Sequence, residues 1–195
     1  VREVPVPVCR KGGVLVKTAF SLISAGTERS GLRLARKNLI GKAASRPDLV
    51  KKVWEKARAE GLKEAYLQSM GRLDTPVPLG YSCSGRVIEA GEGVDKLRPG
   101  DRVACFGAGW ACHAEVNFVP RNLAVPIPPG LGDEEAAFAG VGAIALHGVR
   151  QLGAGVEDVA TVIGLGLLGL LSVQILKAGG TRVIGYDPDE KKVRT

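Results

Sequence analysis

The sequence predicts a mainly β domain with a basic helical insertion, followed by the opening strand–helix–strand of an α/β nucleotide-binding fold. Three observations predict it. Short β-type runs, punctuated by glycine and proline, lie on both sides of a segment with helical periodicity. A β-branched apolar run, Val159–Ile163, leads directly into Gly164-Leu-Gly166-Leu-Leu-Gly169. Glycine supplies 27 of the 195 residues, about twice its usual share, so tight turns and close backbone approaches are frequent.

The first thirty residues read as extended. Val14, Val16 and Ala19 belong to a β-type run ending at Ile23, and Gly26 marks a turn. From Ser45 the pattern becomes helical: Pro47 suits a first helical position, and Val50, Val53, Trp54 and Ala57 share one helix face. Gly61 can end that helix, and Leu62, Ala65, Tyr66 and Met70 suggest a second before Gly71. Residues 33–75 are therefore read as a helical insertion, closed by Thr75-Pro-Val-Pro78. Strands are expected at Gly85–Ala90, Asp101–Phe106, Cys112–Val119 and Leu123–Ile127, with turns at Pro99-Gly100 and Pro128-Pro-Gly130. Asp133-Glu-Glu opens a short helix with acids at its positive end, and a second, apolar helix runs from about Gly142 to Leu152. The expected division is a first domain over 1–155 and the start of a second over 156–195.

The net charge of +7 is local. Between Arg29 and Arg72 there are 12 Lys/Arg against 4 Asp/Glu, and the rest is nearly balanced. Trp54 and Tyr66 fall at core spacing rather than between the basic residues, so a solvated helical face is expected and no nucleic-acid partner. Four cysteines without a CxxC pair exclude a disulfide framework and a zinc knuckle, and two histidines exclude a histidine cluster. Arg2 and Glu3 are followed by no apolar signal segment, so a cytoplasmic protein is expected, and both ends read as cut. Val159–Leu176 has 18 uncharged residues, the lower limit for a membrane span, but three glycines in it favour strand–turn–helix over a spanning helix.

That turn carries the functional signal. Gly164 permits a tight turn, Gly166 lets backbone amides approach a pyrophosphate, and Gly169 lets helix pack closely on strand. Leu167 and Leu168 open the helix, whose N-terminus faces the phosphates. A second strand, Arg182–Tyr186, ends at Asp187, 18 residues after the last glycine. This is the full context of a dinucleotide site. Asp187 would accept the ribose hydroxyls and repel a 2′-phosphate, favouring NAD over NADP. The alternative for Asp187 is a helix cap, for which Asp189 competes. Lys191, Lys192 and Arg194 could soften the exclusion of phosphate.

The chain resembles the medium-chain dehydrogenase/reductase family, which joins a GroES-like domain to a Rossmann domain. The resemblance rests on Gly91-Glu-Gly-Val94, Pro99-Gly-Asp-Arg-Val103, Ala145-Leu-His-Gly148 and the three glycines of the turn. Zinc-dependent members place Cys-Gly-Thr-Asp where this chain has Ala25-Gly-Thr-Glu28, and Gly-His-Glu where it has Gly80-Tyr-Ser82. Their third ligand falls at Gly140 or Val141, and their structural zinc lobe has no counterpart. None of these residues suits zinc, which takes sulfur, imidazole or carboxylate, so no zinc is expected. Ser21–Arg29, Leu79–Ser82 and Val103–Gly109 resemble a bacterial zinc-less subgroup, some members of which are fused to a second oxidoreductase. That resemblance implies hydride transfer between nicotinamide and an alcohol, carbonyl or sugar-like substrate, and a homo-oligomer is expected.

Two residues are candidates for the chemistry. Tyr81 could donate its hydroxyl to a carbonyl oxygen, or simply fill the vacated metal cavity. Thr27 matches the family's proton-relay hydroxyl, or serves as a turn hydroxyl beside Gly26. Glu28 matches a supporting acid. Cys83 with Cys112-His113 offers a non-standard metal site, the basis of a zinc-dependent alternative. His147 reads as a packed or capping histidine, and Trp110 as a packing residue. A further alternative is a nucleotide-binding sensor or structural protein without turnover.

Overall fold

The computed structural model describes residues 2–36 and 78–194. The chain forms two compact units, Val1–Ser24 with Leu79–Thr195, and Ala25–Pro78. The helices expected across Pro47–Ala57 and Leu62–Met70 lie outside the described residues.

The first unit holds a five-stranded antiparallel sheet. Its strands are β1 (Gly13–Ser21), β2 (Ser82–Ala90), β3 (Arg102–Phe106), β4 (Val116–Pro120) and β5 (Ala124–Pro126), in the order β4-β1-β2-β3-β5. Register shifts within β1, at Leu15/Val16 and Thr18/Phe20, bend the ladder with β2. The sheet curls into an antiparallel half-barrel. Inside it Val14, Val16, Val87, Val103 and Val119 pack with Cys83 and Cys105. In β3 the alternation is hidden because both faces are covered: Val103 and Cys105 enter the barrel core, while Ala104 packs with Ile127 and Ala136 outside it.

Ala136 belongs to a short helix, α2 (Asp133–Ala136), with the three acids of its first turn as expected. Two buried serines of β2 hold this corner. Ser82 Oγ donates to the Ala137 carbonyl at 2.6 Å, and Ser84 Oγ donates to that of Asp133. Helix α3 (Ala139–Leu152) follows and touches both β2 and β3. It begins three residues before the expected Gly142, because Gly140 and Val141 are buried and already part of its packed face.

α3 also packs on α4 (Leu167–Ala178), which links β6 (Val159–Ile163) to β7 (Arg182–Tyr186). The two strands are parallel, with Val159 opposite Arg182 and Ile163 opposite Tyr186. Both strands have the bounds expected from the sequence.

Two expectations are corrected. Cys112–Glu115 are not strand, and β4 begins at Val116. The Asn117 carboxamide accepts from the Cys112 N–H at 3.1 Å and donates to the Cys112 carbonyl and to Thr18 Oγ1. This side chain holds the preceding residues in a turn and competes with ladder pairing. The extended reading of the first thirty residues fails from Ala25 onward, in the second unit. Helix α1 (Ala25–Arg36) starts where a turn was expected, with Glu28 in its first turn and Ser30 Oγ donating to the Gly26 carbonyl at 2.9 Å. Ser24 directly precedes it, a residue type favoured at helix entry.

Candidate functional site

The turn between β6 and α4 has the geometry of an anion cradle. Gly164 has φ +94°, and its N–H donates to the Tyr186 carbonyl at 2.7 Å, tying the turn to the end of β7. A Cβ on Gly169 would run into the Gly164 carbonyl oxygen, so only glycine lets α4 enter this close to the strand. Gly166 caps α4 with extended backbone and no side-chain hydrogen bond. A Cβ placed there would meet nothing within 4 Å. The N-terminus of a twelve-residue helix therefore opens on free space, which suits a phosphate group. Leu167 is half-buried in the first turn of α4, and Leu168 is exposed beside it.

Asp187 stands at the end of β7, buried, and does more than wait for a ligand. Its Oδ1 accepts from the Asp189 N–H at 2.9 Å, and its Oδ2 from the Leu165 N–H at 2.8 Å. Lys192 Nζ lies 3.5 Å from Oδ2. The Asp189 amide, then that of Leu165, with help from Lys192, hold the carboxyl below the usual carboxylate range. Asp187 thus pins the middle of the glycine turn to β7. The cap is Asp189, which accepts from the Lys191 N–H at 3.1 Å to open α5 (Glu190–Val193). A carboxylate has about four lone-pair sites, so Asp187 keeps acceptor capacity for hydroxyls. These residues fit a dinucleotide.

The second candidate region lies where β2 and β3 meet α3. Tyr81 is half-buried, and its carbonyl accepts from the Gly107 N–H at 2.8 Å. Its ring meets that of Phe106 edge-on, with centroids 5.9 Å apart at 81°. Phe106 also covers Gly140, where an added Cβ would overlap its ring. No donor could project from position 140, and Val141 is buried and apolar. An aromatic pair and an apolar helix face line this corner, and these residues offer no sulfur, imidazole or carboxylate to a zinc ion. Phe106 was not singled out from the sequence, where it reads as the end of a strand.

Thr27 and Glu28 lie in the first turn of α1, in the second unit, with Thr27 exposed and Glu28 half-buried. Cys83, Cys112 and His113 form no ligand set: among the described residues no group of three His, Cys, Asp or Glu is placed to hold a metal. Cys83 instead faces Cys105, and His113 Nδ1 lies 2.9 Å from Ser21 Oγ. His147 is exposed on α3. Trp110 packs edge-on against Phe118, with centroids 5.9 Å apart. No helix among the described residues is long and apolar enough to cross a membrane.

Comparison with known proteins agrees with this architecture. Residues 54–145 match the alcohol dehydrogenase GroES-like domain. (R,R)-butanediol dehydrogenase of Bacillus subtilis (strain 168) is 31% identical over 128 residues, covering 54% of this chain and 37% of that protein. D-guloside 3-dehydrogenase of Shigella flexneri is 32% identical over 111 residues, covering 56% of this chain and 31% of that protein. The fold is shared with Escherichia coli quinone oxidoreductase, solved in complex with NADPH. The TM-score is 0.68 at 20% identity, over 100% of this chain and 49% of that one. The chain thus spans less than half the length of these proteins. A half-barrel running through a partly buried helix into a strand, a glycine turn and a second helix is one continuous pattern, and in it the chain is similar to members of the medium-chain dehydrogenase/reductase family.

Proposed function

We propose that the complete polypeptide is an NAD-linked oxidoreductase that acts on an alcohol or carbonyl substrate, sugar-like in character, without catalytic zinc. The observation that carries the reading is the open, uncapped N-terminus of α4 above Gly166, with Asp187 fixed beside it. When bound, nicotinamide supplies the hydride or accepts it at its C4. The chain's own residues position the cofactor: the first-turn amides of α4 bind the pyrophosphate, and Asp187 accepts the adenosine ribose hydroxyls. The buried carboxylate opposes a 2′-phosphate, which supports NAD over NADP, although Lys192 balances part of its charge. The residues from 156 onward then form the start of a Rossmann domain, and those before it the catalytic domain.

Without a metal, the substrate oxygen needs a hydrogen-bond donor. Tyr81 is the proposed donor, its ring held by Phe106, and Thr27 the proposed hydroxyl through which the proton leaves or arrives. The sugar-like substrate follows from the relatives, among them the D-guloside 3-dehydrogenase. The cysteines described are free thiols, in keeping with a reducing, cytoplasmic setting, and a homo-oligomer is proposed.

The test is nicotinamide absorbance of the full-length protein with NAD or NADP and a panel of sugars, alcohols and their carbonyl products. Turnover supports the reading; tight cofactor binding without turnover on any of them would favour a sensor. Tyr81→Phe keeps the edge contact with Phe106 and removes only the hydroxyl. We expect kcat to fall by about a hundredfold to ten-thousandfold, as for loss of a positioned acid, with stability unchanged. An unchanged kcat would make Tyr81 a packing residue.

A further inference from the structure

Cys83 of β2 and Cys105 of β3 are direct cross-strand partners. Directly opposed residues of an antiparallel ladder point to one face, here the barrel interior, where Cys83 is fully buried and Cys105 is 2% exposed. Flanking bonds, Gly107 N–H to Tyr81 and Val87 N–H to Asp101, put the pair in hydrogen-bonded register. Such Cα atoms stand about 5.5 Å apart, within the span of about 4.4–6.8 Å that a disulfide bridges. Both thiols are free, on cross-strand partners whose side chains share the barrel interior.

We propose that Cys83 and Cys105 form a reversible oxidation site, closed to a cross-strand disulfide by a peroxide and reopened by a small thiol. In the first step the Cys83 thiolate attacks one peroxide oxygen. The O–O bond breaks, hydroxide leaves and takes up a proton as water, and Cys83 becomes a sulfenic acid. The Cys105 sulfur then attacks the Cys83 sulfur and the S–O bond breaks. The departing hydroxyl leaves as water with the Cys105 proton. Two thiols have lost two electrons, and the peroxide has become two waters. Two equivalents of a small thiol return the electrons by exchange.

Cys83 is the nucleophile of the pair. The neighbouring Cys105 thiol holds the Cys83 thiol below its ordinary value, while the same neighbour, with burial, pushes Cys105 up and keeps it protonated. Position gives the bond a consequence. Tyr81 lies two residues before Cys83 and Phe106 directly follows Cys105, so a disulfide would tie the strands beneath the Tyr81–Phe106 ring contact.

The test treats the full polypeptide with hydrogen peroxide, then alkylates remaining thiols in denaturant. Chymotrypsin cuts after Phe106 and separates Cys105 from Cys112, and unreduced peptides are weighed. The expected result is a Cys83–Cys105 link, two hydrogens lighter, absent after dithiothreitol, with Cys112 alkylated. Cys105→Ala should lose the link and leave Cys83 as a sulfenic or sulfinic acid. Recovery of both cysteines alkylated at a peroxide level that oxidises the half-buried Cys9 would overturn the proposal, as would a Cys83–Cys112 link. The unmutated protein decides the matter even where the variant does not fold.

Discussion

Gly169→Ala should unfold the cofactor half, whereas Gly166→Ala should leave it folded but unable to hold cofactor. The two glycines stand three residues apart and differ in what a methyl group would meet. At 169 it collides with the Gly164 carbonyl oxygen, so α4 must lift off β6. Overpacking of that kind costs about 1–3 kcal/mol or more, a large share of a domain's stability. At 166 the methyl meets no protein atom and the backbone angles suit alanine. It would instead occupy the approach of the pyrophosphate, and we expect Kd for cofactor to rise about a hundredfold, or roughly 2.7 kcal/mol. Denaturant unfolding read beside cofactor titration separates the two effects. Wild-type affinity in Gly166→Ala would mean that the open space is not where the phosphates sit.

Replacement of Asp187 by serine should invert the cofactor preference. Serine cannot reach both the Leu165 and Asp189 amides, and it carries no charge to repel a 2′-phosphate. NAD affinity should fall about tenfold or more, while NADP affinity holds or improves. Binding of both cofactors by the full-length protein, measured before and after the change, gives the answer. An equal fall for both would assign Asp187 to the turn alone.

The parallel unit was legible in the sequence because its signals are local. Val159–Ile163 is bounded by charge on one side and glycine on the other, and Arg182–Tyr186 ends in the acid that closes the motif. The barrel strands were found through their turns, Pro99-Gly100 above all. What was not legible depends on contacts distant in sequence or on side chains that replace ladder bonds. Asn117 holds Cys112 and Ala114 in a turn that apolar character alone reads as strand. The entry of α1 at Ala25 carries no apolar periodicity, only a serine before it and an acid inside it.

The candidate site divides the same way. The glycines and Asp187 were placed by spacing, but the grip of Asp187 on Leu165 joins residues 22 positions apart. Phe106, which fills the space over Gly140, and the pairing of Cys83 with Cys105 both follow from sheet register, and register is not written in any one strand.

The central claim is hydride transfer without zinc. A catalytic zinc needs three protein ligands and an open position, and the residues that the family resemblance sets against those ligands are Ala25, Tyr81 and Gly140 or Val141. The direct measurement is the metal content of purified full-length protein, taken beside its nicotinamide-linked activity before and after chelation. We expect far less than one zinc per chain and activity unaffected by the chelator. One zinc per chain, with activity abolished by chelation and restored by zinc, would contradict the account.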